Sequence, residues 1–170
     1  LGCFYERPAG GKRTATAGYY NAVAFHEAAA EAGVGAWSLN GDAFSDELKA
    51  QTVATLREHM GPVDTLIYSL ASPRRTHPKT GVTHQSTLKP TGDPFTGKTI
   101  NLNTGAVESV TIESASGVEV ADTIQVMGGE DFALWVSLLL EEGLLAEGAT
   151  AVAYSYIGPE VSAAIYRRGT

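Results

Sequence analysis

"VDTLIYSLASPRRTHPKTG", residues 63–81, begins as a strand and ends as something else. Val63 to Leu70 is apolar enough to be buried. It then stops in small residues, Ser69-Leu70-Ala71-Ser72, and gives way to prolines, Arg74-Arg75 and His77. In an α/β protein such a strand turns into a helix after a short loop. Here the chain stays polar and rich in turn residues to about Ser116. The segment therefore reads as an α/β scaffold carrying an insertion over about residues 72–116.

The rest of the chain supplies the scaffold. Leu1 to Tyr5 reads as the end of a buried strand. Gly18 to Ala32 is Ala-rich and helical, with Gly33 as its stop. "VGAWSLN" (34–40) is a short strand, followed by the turn Asn40-Gly41-Asp42. Ser45 caps a second helix, with Asp46 and Glu47 in its first turn and Gly61-Pro62 closing it. Strand, helix, strand, helix, strand, with nearly continuous apolar strands, predicts a parallel sheet with helices on both faces. Within the insertion, alternation on both sides of Asn103-Thr104-Gly105 predicts a hairpin. Helices resume at about 118–126 and 132–142, and "GATAVAYSYIG" (148–158) is a further buried strand. The expected organisation is one domain over residues 1–170.

Composition narrows the function. The chain has 170 residues, 44% of them hydrophobic, which is enough for a real core. A formal net charge of −7 argues against a nucleic-acid partner. No apolar run reaches the roughly 18 residues of a membrane span. The single cysteine, Cys3, fits a reducing compartment, here the cytoplasm. The four histidines show no metal-ligand spacing, so no metal is expected. Both chain ends read as cuts: the start lacks a Met and lies inside an apolar run, and the end has no helix stop.

Open α/β sheets bind ligands at the carboxyl ends of their strands. Those ends are Tyr5-Glu6, Asn40 to Ala43, Ser69 to Ser72 and Ser155 to Gly158, and small or polar residues gather at all four. Glu6 could accept hydrogen bonds from a ribose, although taken alone an exposed surface glutamate explains it better. Asp42 could meet an adenine amino group or simply form a turn. Arg74 and Arg75 could hold a phosphate, and a solvated loop pair is the simpler reading. Tyr154, Tyr156 and Tyr166 crowd the C-terminal end, where core or surface packing is the default. No Gly-rich phosphate loop precedes any strand.

The strings "ATAGYYN" (15–21), "NGDAFSDELK" (40–49), "YSLASPRR" (68–75), "STLKPTG" (86–92), "VMGGEDFALW" (126–135), "AYSYIGPE" (153–160) and "IYRRGT" (165–170) occur in that order. With them the chain resembles the trans-2-enoyl-CoA reductase family, the FabV-type enoyl-acyl-carrier-protein reductases, along its whole length. The resemblance implies a Rossmann-like fold related to the short-chain dehydrogenases, a monomer, and NADH as the cofactor. The implied reaction reduces the C2=C3 bond of an enoyl-CoA or enoyl-acyl-carrier-protein. Carried over by motif, Tyr5 and Glu6 meet the adenosine ribose, Asp42 and Ala43 the adenine, and Leu70 and Ala71 the cofactor. Tyr156 contacts substrate and Tyr166 is the proton donor. The family's phosphate loop would lie upstream of Leu1 and its catalytic lysine shortly beyond Thr170, so a central fragment is expected. A non-catalytic adenosine-binding remnant is the rival reading. An unrelated adenosine-binding α/β protein such as a methyltransferase would fit Glu6 and Asp42 but not the later strings.

Overall fold

Short strands alternate with helices in the structure, a computed structural model that describes residues 1–155. In chain order the elements are β1 (Gly2–Phe4), α1 (Ala17–Glu31), β2 (Ser38–Asn40), α2 (Asp46–His59) and β3 (Val63–Tyr68). The insertion comes next as β4 (Arg74–Thr76), β5 (Thr83–Gln85), β6 (Phe95–Ile100) and β7 (Val107–Ile112). The chain then forms α3 (Gly117–Met127), α4 (Glu130–Glu141) and β8 (Leu145–Ala153).

These residues fall into two compact units. The first comprises Leu1–Asp64 and Trp135–Thr150. In it β1 and β2 pair in parallel, Gly2 opposite Ser38 and Phe4 opposite Asn40. The Ser45 hydroxyl accepts from the Leu48 N–H at 3.2 Å and so caps α2, as its sequence predicts. Helix α1 stops where Gly33 takes φ of 68°, a left-handed conformation that costs glycine little. Leu48, Leu56, Leu139 and Leu144 are buried, together with Phe44 and Trp135. Each leucine buried in this way contributes roughly 1.5–3 kcal/mol. Arg57 of α2 donates to Glu142 just beyond α4.

The second unit comprises Thr65–Leu134 and the described residues from Ala151. Two antiparallel ladders build the insertion: β4 with β5, Arg75 opposite His84, and β6 with β7, Phe95 opposite Ile112. Gly105, with φ of 71°, turns the predicted hairpin. Helix α3 covers β5 through Thr123, whose hydroxyl accepts the Thr87 N–H at 3.0 Å, and through His84, which bonds Asp122 at 2.9 Å.

A reciprocal capping box starts α3: the Ser116 hydroxyl accepts the Glu119 N–H, and Glu119 accepts the Ser116 N–H. Lys89 also donates to Glu119 at 2.5 Å. The Lys89 hydrogen bond, followed by those from Ser116, lowers the Glu119 carboxyl from 4.5 to about 2. A depressed carboxyl contributes stability above its unfolded value and loses it as pH falls towards the folded one. Helix α3 is therefore expected to lose protection as pH drops from 4.5 to about 2. Glu119→Gln flattens that part of the profile, which hydrogen exchange across pH measures; an unchanged profile would remove the carboxylate from the account.

Strand β3 departs from its sequence reading in one respect. It extends over Val63–Tyr68, within the expected Val63 to Leu70, and pairs with β8. The Val63 N–H donates to the Leu144 carbonyl and the Tyr154 N–H to the Tyr68 carbonyl, so the two strands run parallel. Yet Ile67 is 54% exposed and Val152 37%. Apolar sequence sets what a strand prefers to bury; among the described residues nothing covers these two.

Candidate functional site

In the first unit the ends of β1 and β2 are laced together by one side chain. Asn40 accepts the Glu6 N–H through Oδ1 at 2.9 Å, and its Nδ2 donates to the Glu6 carbonyl at 2.7 Å. The Gly41 N–H donates to the Phe4 carbonyl at 2.8 Å. Asn40 thus extends the parallel ladder past the point where backbone pairing ends. Its amide fixes the backbone of Glu6 and makes no use of the Glu6 carboxylate. Tyr5, beside it, is 82% exposed.

The loop after β2 is held as firmly. Asp42 Oδ1 accepts the Phe44 N–H at 3.0 Å, the local turn that an aspartate favours. Ala43 is buried, so this position offers its backbone rather than its methyl to a ligand. Its carbonyl is drawn inward by two donors, Lys49 Nζ at 3.1 Å and Trp135 Nε1 at 3.2 Å. Lys49 also donates to the Phe44 carbonyl at 3.1 Å, and its ammonium stands 5.1 Å from the centre of the Trp135 ring. A buried lysine is costly unless its charge is well bonded, and these carbonyls and the indole face meet that need. Tyr5, Glu6, Asp42 and Ala43 therefore share one polar rim at the carboxyl ends of two parallel strands.

Leu70 and Ala71 belong to the second unit, in the loop leaving β3. Ser72 orders the chain from there into β4: its hydroxyl donates to the Arg74 carbonyl at 2.6 Å, and its own carbonyl accepts from the Ser86 hydroxyl at 2.9 Å. The arginine pair is not a solvated loop pair. Both residues lie on β4, where alternation sends Arg74 outward and Arg75 inward. Arg75, 2% exposed, donates through Nη1 to the Gln125 carbonyl at 2.8 Å and to Glu130 Oε2 at 2.7 Å. Glu130 also meets His77 Nε2 at 3.2 Å. The Arg75 hydrogen bond holds the Glu130 carboxyl below its usual range. A phosphate role for Arg75 is thereby overturned: its charge is spent inside the unit.

Next to Glu130, Asp131 is 1% exposed and accepts the Tyr68 hydroxyl at 3.0 Å. Burial, reinforced by the Asp131 charge, raises the Tyr68 phenol above its ordinary value. Tyr68 is thus kept protonated and serves as a fixed donor at the end of β3. Burial likewise raises the Cys3 thiol, which contacts the Thr52 hydroxyl at 3.3 Å. Asn40, Lys49 and Trp135 are the residues around the rim that sequence reasoning did not assign, and Asp131 is one it missed in the second unit. Only Asn40 gave a signal, by its place at a strand end.

Tyr156 and Tyr166 lie outside the described residues. No group of three or more metal-ligating side chains occurs among the described residues. Nor is any described helix long and apolar enough to cross a membrane.

Parallel strand pairs with intervening helices and a polar rim at their carboxyl ends define a Rossmann-like α/β protein. The chain belongs to the family described as "Trans-2-enoyl-CoA reductase catalytic region", whose sequence model matches residues 13–170. The Opitutus terrae enoyl-[acyl-carrier-protein] reductase [NADH] is 54% identical over 170 residues, all of this chain and 43% of that protein. The Coxiella burnetii enzyme of the same name is 52% identical over 171 residues, all of this chain and 42% of its own length. Among solved structures, the Treponema denticola trans-2-enoyl-CoA reductase in complex with NAD superposes with a TM-score of 0.88 at 46% identity, covering 98% of this chain and 42% of that one. The Clostridium acetobutulicum trans-2-enoyl-CoA reductase in complex with NADH gives 0.88 at 39% identity, with the same coverage of 98% and 42%. The chain spans less than half the length of these relatives.

Proposed function

We propose that the chain forms a cofactor-binding part of an NADH-dependent reductase of the C2=C3 bond of trans-2-enoyl thioesters, serving fatty acid synthesis. The observation that carries this reading is the rim itself. Glu6, Asn40, Asp42 and Ala43 converge at the ends of β1 and β2, in a chain whose relatives are named as NADH-dependent enoyl reductases.

The residues present suit an adenosine dinucleotide. A carboxylate at the end of β1 accepts hydrogen bonds from the two ribose hydroxyls and repels a 2′-phosphate, which favours NADH over NADPH. Tyr5 lies over the same ribose. Asp42 takes the adenine amino group, and the Ala43 backbone meets the ring. Leu70 and Ala71 line the cofactor with small surface at the end of β3. When bound, NADH supplies the hydride that the β-carbon of the thioester receives. Negative charge then collects on the thioester oxygen, which Tyr166 stabilises by a hydrogen bond, and Tyr166 supplies the proton that the α-carbon takes up to complete the reduction. Tyr156 contacts the substrate. General-acid help of this kind is worth roughly 10²–10⁴-fold.

The thioester carrier is coenzyme A or acyl carrier protein, the two carried in the names of its relatives. Of the arginine pair, Arg74, exposed beside the loop leaving β3, is the member assigned to a carrier phosphate. The protein acts as a cytoplasmic monomer without a metal. The test is conversion of crotonyl-CoA to butyryl-CoA by the full-length protein with NADH, monitored by mass spectrometry of the thioester. NADH consumption that leaves the double bond intact would reject the proposal.

A further inference from the structure

The Glu6 carboxylate occupies a space that exists only because residue 18 is glycine. A Cβ built on Gly18 would lie 2.0 Å from Glu6 Oε1, 2.5 Å from Cδ and 3.2 Å from Cγ. Gly18 is the second residue of α1. Its backbone needs no glycine, because it is not among the residues with positive φ. The absent methyl is used for room, not for a turn.

The end of α1 that receives this carboxylate lacks an anion of its own. Its first turn contains no acidic residue, and Thr16 at the cap makes no side-chain capping bond. The Thr16 hydroxyl instead accepts the Arg7 N–H at 3.0 Å and donates to the Arg7 carbonyl at 3.2 Å. A helix start of this kind favours a nearby negative charge. The backbone of Glu6 is fixed by Asn40 from the other side. Two independent contacts, Asn40 on the main chain and Gly18 on the side chain, therefore define where the carboxylate stands.

We propose that Gly18 is a specificity-determining position, setting the choice between NADH and NADPH by seating the carboxylate of Glu6. The proposal rests on the cofactor reading above and adds a residue to it. In Gly18→Ala the methyl and the carboxylate cannot share the space. Backbone on the Gly18 side is helix, so the flexible glutamate arm gives way. Restoring an ordinary contact of about 3.5 Å moves Oε1 by more than an ångström, which breaks hydrogen bonds made at that oxygen. Alanine is a better helix former than glycine, so the fold is not weakened by the exchange.

The experiment is a double-mutant cycle in the full-length enzyme: wild type, Gly18→Ala, Glu6→Ala and the double variant. KM for NADH, the NADH-to-NADPH ratio of kcat/KM, and Tm are measured for each. Gly18→Ala is expected to raise KM for NADH about tenfold, the scale of a lost charge-assisted hydrogen bond. The NADH-to-NADPH ratio falls with it, and Tm holds or rises. In the Glu6→Ala background the same exchange changes KM by less than about twofold, because its effect passes through the missing carboxylate. An equal effect of Gly18→Ala in both backgrounds, no effect in either, or a fall in Tm that accompanies the KM change would overturn the proposal. An enzyme that prefers NADH and ignores residue 18 rejects this inference alone, whereas a wild type that uses neither nucleotide rejects the cofactor reading beneath it.

Discussion

Tyr166→Phe is expected to lower turnover of crotonyl-CoA by the full-length enzyme by roughly 10²-fold or more, with KM for NADH changed little. The exchange removes one oxygen and keeps the ring, so the donor is what is lost. That donor is needed late, when hydride addition has placed charge on the thioester oxygen. An interaction made mainly in the transition state appears in kcat rather than in KM. A phenol with an ordinary value of about 10 is a poor acid at neutral pH, so the role requires a cation close by. A phenylalanine variant with wild-type turnover would remove Tyr166 from the mechanism.

Arg75→Ala is expected to cost about 3 kcal/mol of unfolding free energy, the scale of deleting a buried, hydrogen-bonded side chain whose ion-pair partner Glu130 is half-exposed. Three losses combine: the bond to the Gln125 carbonyl, the bond to Glu130, and the packing of a side chain that is only 2% exposed. Asp131 stays behind, 1% exposed and still bonded to Tyr68. Arg74→Ala, one residue away on the outer face of β4, is expected to stay within about 0.5 kcal/mol. Urea unfolding of the two variants side by side separates them. Equal and small losses would mean that the Arg75–Glu130 pair contributes nothing to the fold.

Local rules made much of this structure readable. The Ser45 cap, the stop at Gly33 and the hairpin around Asn103-Thr104-Gly105 all arise from residues within a few positions of each other. What escaped depends on distant partners. Strand β4 has three residues, too few for alternation to be seen, and the groups that draw Arg75 inward stand some fifty positions away, at Gln125 and Glu130. Lys49 sits among polar residues of α2, and its burial is made tolerable by groups such as Trp135 and the Ala43 and Phe44 carbonyls, which become visible when the chain folds. Asn40 looks like a turn residue until its two bonds to Glu6 are seen. Gly18 looks like an ordinary member of an Ala-rich helix. Tyr5, Glu6, Asp42 and Ala43 were assigned through resemblance to a family; spacing alone would have left Glu6 a surface glutamate.

The central claim is that the rim ending in Glu6 binds NADH for reduction of an enoyl thioester. It is tested most directly by comparing kcat/KM for NADH and NADPH in crotonyl-CoA reduction by the full-length protein. A carboxylate held where the 2′-phosphate would lie costs several kcal/mol in like-charge repulsion, so NADH should be preferred by at least about 10²-fold. Equal constants, or a preference for NADPH, would contradict the account.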